Sequence, residues 1–159
     1  MASVVDSPAL PPELADMLKS IVGMTITTRF IGKGNRFSIG FGIVSKKTTV
    51  DHGEWEIGTY DCAWRVLKDG AIIVASDDAV ESQQDLLDIF ESCNIGEFVG
   101  LHHLTALDTR FTFSRGCIDI LCSISDDDQI LHIFFPESVV AIFSISKGWV
   151  LGRSDKPWV

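Results

Sequence analysis

From residue 24 to residue 152 the sequence is a succession of short runs in which apolar and polar residues alternate, separated by turns of a few residues. Alternation with a period of two is the pattern of β-strands that bury one face. The runs "MTITTRFIG" and "RFSIGFGIV", joined by the turn "KGN", predict the first hairpin. Short turns between successive runs predict sequential antiparallel pairing, and so a meander. About ten such strands seldom stay flat, so we expect a strongly curved or two-layer sheet.

Two segments depart from this alternation and predict helices. Residues 11–22 start with two prolines and continue with apolar residues at helical spacing, which predicts an N-terminal helix that ends at Gly23. Residues 78–92 place apolar side chains on one side and acidic side chains on the other. This pattern predicts a central helix with an acidic, solvent-facing surface, capped by Ser76 or Asp77.

The whole chain is predicted to be one domain of the α+β class. Its 159 residues match the size of a single domain, and 46% hydrophobic against 22% charged residues is typical of a globular protein. We find no internal repeat, low-complexity segment or linker. We therefore expect a single domain over residues 1–159, with a β-rich, mostly antiparallel body over residues 24–152, an N-terminal helix and one central helix.

The segment "EWEIGTYDCAWRV" combines two tryptophans, a cysteine and an arginine in adjacent predicted strands. Successive side chains of a strand point to opposite faces, so if Trp64 fills the core, Arg65 points away from it. Charge-assisted hydrogen bonds would then hold the guanidinium of Arg65. Its candidate partners are nearby acids: Asp61, Asp77 and Asp78.

The net charge of −9 is concentrated in one part of the chain. Residues 69–128 carry 13 acidic and two basic residues, a net −11, whereas the segments before and after them each carry a net +1. Such a surface repels nucleic acid and anionic membranes, and it accelerates the approach of basic proteins. The same charge also serves solubility, and both interpretations remain open.

No motif of enzyme chemistry is complete. A hydrolase that pairs Cys62 with His102, His103 or His132 is an alternative, but Cys62 falls in a predicted strand and not at a helix start, where a thiol would be acidified. None of the four cysteines forms a Cys-x-x-Cys pair, so reduced and mostly buried thiols are expected.

Neither a metal nor a cofactor is predicted. His102 and His103 would point to opposite faces of a strand and could not share a zinc ion. The acidic turn "SDDDQI" lacks the alternating ligands and later glutamate of a calcium loop, and "GKGNRFSIGFG" lacks the order of a phosphate-binding loop. No apolar run reaches the roughly 18 residues of a membrane span, and the N-terminus lacks a signal sequence, so we expect a cytoplasmic protein.

The segments "GKGNRFSIGFG", "EWEIGTYDCAWRV", "SDD", "DTRFTFSRGCIDILCSI" and "GWVLG" together resemble a group of small bacterial cytoplasmic proteins of uncharacterised or immunity-like type. In this group a Cys-x-Trp-Arg element precedes a helix that follows an acidic turn. The resemblance covers most of the chain from about residue 24 onward. It implies a cognate inhibitor of a polymorphic secreted toxin, and it implies no catalytic residues.

These observations predict a non-catalytic immunity protein that binds a cognate toxin, with a basic surface, through its own acidic surface. Nucleic acid and membrane are not expected as partners. The residues predicted to contact the toxin are acidic: Asp77, Asp78, Glu81, Asp85, Asp126, Asp127 and Asp128. The alternatives are the Cys/His hydrolase and a subunit of a cytoplasmic assembly.

Overall fold

Strands in two antiparallel sheets make up most of the chain, which confirms the predicted α+β class and two-layer arrangement. The computed structural model describes residues 9–46, 50–59, 61–122 and 129–153. In chain order the strands are β1 (Thr28–Ile31), β2 (Phe37–Phe41), β3 (Trp55–Thr59), β4 (Ala63–Lys68), β5 (Ala71–Ala75), β6 (Phe98–His103), β7 (Thr109–Phe113), β8 (Gly116–Leu121), β9 (Gln129–Phe135), β10 (Val139–Ser144) and β11 (Gly148–Arg153). The helices are α1 (Pro12–Leu18) and α2 (Gln83–Glu91).

The chain exchanges sheets twice, which the predicted meander did not include. The six-stranded sheet has the order β1-β2-β3-β9-β10-β11, and the five-stranded sheet has the order β5-β4-β8-β7-β6. Residues 63–121 therefore build the whole five-stranded sheet between the two halves of the six-stranded sheet. The sequential prediction was wrong at two pairings, β3 with β9 and β4 with β8. Alternation identifies strands and their buried faces, but it does not identify which strands are neighbours.

The core lies between the facing sides of the two sheets. Trp64 on β4 is 1% exposed, and its ring centroid lies 4.7 Å from that of Phe37 on β2. Farther along, the ring of Phe41 on β2 meets that of Phe98 on β6 at 5.8 Å. Aromatic pairs at these separations contribute beyond the area they bury. The predicted burial of Cys62 is confirmed, because it is 4% exposed, whereas Trp55 of the same segment is only partly buried against the core.

The N-terminal helix is close to its prediction. α1 begins at Pro12, and the first turn of a helix tolerates proline. The helix continues into a 3-10 turn over Lys19–Ile21. Leu14, Leu18 and Ile21 of this stretch are buried. Gly23 follows with a φ of 88°, a conformation that favours glycine, so the predicted end of the helix is confirmed.

The central helix is shorter than the predicted 78–92 and begins later. Ser82 caps it, and the predicted caps Ser76 and Asp77 lie outside it. Ser76 is used elsewhere, because its backbone N–H donates to the carbonyl of Trp64 (2.9 Å) and its hydroxyl accepts from the N–H of Trp64 (3.1 Å). These bonds extend the pairing of β4 with β5 by one residue. The next serine in the chain, Ser82, therefore caps the helix instead.

Helix α2 packs against β1 and β5, which are edge strands of different sheets. Its Leu86 and Phe90 are buried, and the ring of Phe90 stacks on that of Phe37 at 5.5 Å. The guanidinium carbon of Arg29 also lies over the Phe90 ring, 5.1 Å from its centroid. Helix α2 thus closes one side of the two-layer structure.

Candidate functional site

The predicted contact residues gather where β5 leads into α2. Asp77, Asp78 and Glu81 are exposed in this connection, and Asp85 lies in the first turn of α2. Asp126, Asp127 and Asp128 lie outside the described residues. The structure therefore brings four of the seven predicted acids to one place and leaves the other three as predictions.

A groove of about 260 Å³ lies beside these acids, and we call it the α2 groove. One wall comes from β1 and the turn after it, and the other comes from the connection before α2 and from its first turns. Its lining residues are Ile31, Gly32, Asn35, Trp64, Ser76, Asp78, Val80, Glu81, Ser82, Gln83 and Leu86. Neither lysine nor arginine occurs among them, so the groove presents two carboxylates and no basic side chain.

The four acids differ in what they already bind. Asp85 accepts a hydrogen bond from the backbone N–H of Ser82 (3.1 Å), and the Ser82 side chain accepts one from the N–H of Asp85, which completes a capping box. Asp78 accepts one from the N–H of Ala75 (3.0 Å). Asp77 and Glu81 make no hydrogen bond or ion pair with any described residue. These two carboxylates are the ones available to a partner.

An unsatisfied donor lies among the lining residues of the α2 groove. The indole Nε1–H of Trp64 is buried and has no hydrogen-bond acceptor in the described part of the chain. An unmade hydrogen bond of a buried group costs about 1–3 kcal/mol. A carbonyl or carboxylate oxygen that reached this N–H would recover that cost. One lining residue of the groove therefore has an unsatisfied donor, and the rim carries carboxylates.

Arg65 has a different partner from those predicted. It lies on the face of β4 opposite Trp64, as expected, but its Nε–H donates to Asp119 on β8 (2.8 Å), and not to Asp61, Asp77 or Asp78. Arg110 on β7 donates to the same carboxylate from Nε (2.6 Å) and Nη2 (2.9 Å). The predicted acids were near Arg65 in sequence, whereas Asp119 is its direct partner across the β4–β8 pairing.

The carboxylate of Asp119 is fully buried between the two guanidinium groups. Burial alone raises the pKa of such a carboxyl, but the hydrogen bonds from Arg110 and Arg65 outweigh it and hold the pKa below 3.8. The segment "CIDIL" carried a signal that sequence reasoning did not use. An acid in an apolar strand needs a cationic partner or other donors wherever its carboxylate is buried.

A second buried carboxylate, Glu56 on β3, was also missed. It is 3% exposed and accepts hydrogen bonds from the backbone N–H of Gly53 (3.0 Å) and from the hydroxyl of Ser38 on β2 (3.1 Å). The Nδ1 of His52 lies 3.5 Å from Oε1 of Glu56, the oxygen that also accepts from Ser38. Glu56 thus fastens the loop before β3 to the outer face of the six-stranded sheet.

The residues of the alternative hydrolase are spread over the fold. Cys62 is buried, and its thiol donates to the carbonyl of Ile130 (3.6 Å). His102 and His103 lie on β6, three strands away from β4 in the same sheet, which is about 14 Å at the usual strand spacing. His103 is buried, its Nε2 accepts from the indole N–H of Trp149 (2.9 Å), and His102 is exposed. The prediction that these two histidines face opposite sides is confirmed.

His132 projects from β9 onto the face opposite the buried Leu131 and Ile133. Among the described residues no group of three or more His, Cys, Asp or Glu side chains is arranged to hold a metal ion. In the same part of the chain no helix has the length and apolar character to cross a membrane.

No known protein family, curated protein or solved structure matches this chain.

Proposed function

We propose that this protein is an immunity protein, a non-catalytic inhibitor that binds a basic secreted bacterial toxin inside the cell that makes both. The observation that carries the proposal is the α2 groove, where Asp78 and Glu81 flank a cavity without any basic lining residue. The resemblance of the sequence to immunity-like proteins supports the same function. The net charge of −11 over residues 69–128 adds long-range attraction for a basic partner.

The free carboxylates define what the groove would accept. A lysine or arginine side chain of the toxin would pair with Glu81 at the rim, with Asp77 close by in the same connection. A carbonyl oxygen of the entering segment would accept a hydrogen bond from the unsatisfied indole N–H of Trp64. A segment with a basic side chain next to a free backbone carbonyl satisfies both requirements.

The charges and the apolar groups would have separate roles in inhibition. Acids around the groove raise the association rate, and this effect weakens as salt increases. The apolar lining, including Ile31 and Leu86, would exclude water and slow dissociation. A tightly held inhibitor of this kind blocks an enzyme by covering its active site or the surface that binds its substrate.

The experiment is co-expression of the chain with the toxin domain encoded beside its gene. We expect the wild-type chain to restore growth and to copurify with the toxin domain. Growth arrest that persists although both proteins are soluble would reject the immunity function.

The double variant Asp77→Lys/Glu81→Lys then tests the groove. We expect it to weaken toxin binding at least about tenfold and to reduce the salt dependence of the association rate. A matched control is Glu13→Lys on α1 with Asp69→Lys in the β4–β5 turn, which changes the net charge equally. If the control weakens binding as much as the groove variant, overall charge and not the groove determines binding.

A further inference from the structure

A row of charged side chains crosses the outer face of the five-stranded sheet. Arg65 on β4, Asp119 on β8 and Arg110 on β7 are direct cross-strand partners, and His102 on β6 follows Arg110 in the row. The residues on either side of Asp119 in β8 are buried in the core. Because side chains alternate along a strand, the row faces away from the other sheet.

Most of the hydrogen-bonding capacity of this row is unused. Asp119 is fully buried and takes one donor from Arg65 and two from Arg110. A guanidinium carries five N–H groups, so each arginine keeps most of its donors. The two side chains are 35% and 30% exposed, and they make no other hydrogen bond within the described chain. Their free donors are held in place by the carboxylate beneath them.

The row also carries an excess positive charge. Asp119 is ionised at neutral pH, since the two arginines stabilise its charged form. One guanidinium would neutralise it, and the second leaves one positive charge on the surface of a protein whose net charge is −9. An oxyanion that reaches both guanidinium groups would compensate this charge through bidentate bonds.

The surroundings of the row favour a protein as the source of the oxyanion. Arg65 and Arg110 line none of the four cavities in the described part of the chain, and they lie on an open sheet face. The adjacent row across the same face contains Leu67 and Ile72, and Ile72 is 56% exposed. Exposed apolar residues beside arginines are typical of protein interfaces.

We propose that the outer face of the five-stranded sheet binds an acidic protein, with an aspartate or glutamate of that partner bridging Arg65 and Arg110. This partner is distinct from the basic toxin of the proposed function, because the two surfaces have opposite charge. The inference does not depend on the immunity function. A chain with both surfaces would connect a basic partner to an acidic one.

The test is a titration of the full chain with hexaglutamate, followed by NMR of the arginine Nε–H signals. We expect saturable shifts of the Arg65 and Arg110 signals, and none with hexalysine. Arg65→Gln and Arg110→Gln should each weaken hexaglutamate binding about tenfold. Arg115→Gln removes the same charge from the exposed β7–β8 turn and should change binding less than about twofold. Arg65→Lys keeps the charge but loses the planar guanidinium that can form two bonds to one carboxylate. Its affinity for hexaglutamate should lie between those of Arg65→Gln and wild type.

Three results would overturn the proposal. The first is equal weakening by Arg115→Gln and Arg65→Gln, which would mean that only net charge matters. The second is that inorganic phosphate shifts the same signals at lower concentration than hexaglutamate, which would mean a small-anion site. The third is that hexaglutamate shifts neither arginine signal of the wild-type protein, in a sample that thermal unfolding shows to be folded.

Discussion

The imidazole of His132 lies against Gly58 on the neighbouring strand, so that a Cβ at Gly58 would come within 2.5 Å of its Nε2. The glycine thus provides the space that the ring fills on the outer face of the six-stranded sheet. Burial, with a further contribution from the charge of Arg36, lowers the pKa of His132 to about 4. The ring is therefore neutral at physiological pH.

Gly58→Ala should destabilise the protein. The added methyl group would overlap a half-buried ring between two paired strands, and overpacking of this kind costs about 1–3 kcal/mol. Gly100→Ala on β6 is the matched control, since nothing lies within 4 Å of a Cβ there. Urea unfolding of both variants measures the difference. Equal stability of the two variants would contradict the packing of His132 over Gly58.

The stability of the protein should fall between pH 6.5 and about 4. An unfolded histidine has a pKa near 6.5, and His132 has a pKa of about 4 in the folded state, so the unfolded state binds the proton first as the pH falls. This linkage costs roughly 3 kcal/mol once both states are protonated. The pKa values of His52 and His103, also lowered by burial, act in the same direction.

His132→Gln should make the pH dependence of the unfolding free energy shallower over this range. Urea unfolding at several pH values measures it, and NMR titration of the His132 ring in the wild-type protein measures its pKa directly. Identical slopes for wild type and variant, or a ring pKa near 6.5, would contradict the prediction.

Removing both arginines beside Asp119 should cost more stability than removing either. The double variant Arg65→Gln/Arg110→Gln leaves a buried carboxylate without a cation, which costs about 3–5 kcal/mol. Arg110→Gln should cost more than Arg65→Gln, because Arg110 donates two of the three bonds. Thermal and urea unfolding at pH 7 compare the three variants.

The contribution of the Arg65–Asp119–Arg110 cluster to stability should also depend on pH. The pKa of Asp119 is lowered from 3.8 in the folded protein, so its ion pairs stabilise the fold above that pH and lose this effect as the pH falls below it. The difference between wild type and the double arginine variant should therefore shrink in strong acid. A difference that is as large at pH 2 as at pH 7 would mean that the arginines contribute through packing alone.

Ser82→Ala should destabilise α2 by about 1 kcal/mol, since it removes the side-chain half of the capping box. Asp85→Asn should also lower stability, because the carboxylate of Asp85 binds the N–H of Ser82. Asp77→Asn serves as the control and should change the unfolding free energy by less than about 0.5 kcal/mol. If Asp85→Asn were neutral for stability, Asp85 would return to the set of free contact acids.

Alkylation of the native protein should modify Cys117 and Cys122 before Cys62. The first two are partly exposed, although burial raises the pKa of both thiols and slows the reaction at neutral pH. Cys62 is buried and should react only after unfolding. Mass spectrometry of peptides after timed labelling gives the order. Rapid labelling of Cys62 would restore the hydrolase alternative.

The sequence predicted the parts of the fold that depend on local patterns. Alternation located the strands and put Trp64 and Arg65 on opposite faces of β4, and Gly23 marked the end of the first helix. The cap of α2 was placed too early, because Ser76 had a competing role at the end of β5. A capping signal is local, whereas the competing bonds come from another strand.

The candidate site could be predicted only in part for the same reason. The acids near α2 are close in sequence, so their clustering was foreseeable. The partnership of Arg65 with Asp119 spans 54 positions and depends on which strands are neighbours. The groove depends on the same information, since Ile31, Trp64 and Leu86 come from β1, β4 and α2. Period-two alternation predicts which face of a strand is buried, but not which distant strand lies next to it.

The pairing of β3 with β9 has a consequence for the order in which the chain folds. The hydroxyl of Thr59 donates to the carbonyl of Ile130, 71 positions later, so the six-stranded sheet is completed only after the intervening segment has been synthesised. Closing an unstructured loop of this length costs roughly 4 kcal/mol in entropy. Early formation of the five-stranded sheet would shorten that loop, but the part of its inner face that β9–β11 cover, such as His103 beside Phe143 and Trp149, would stay exposed until those strands arrive. We expect this stage, late in synthesis, to be the one most prone to aggregation.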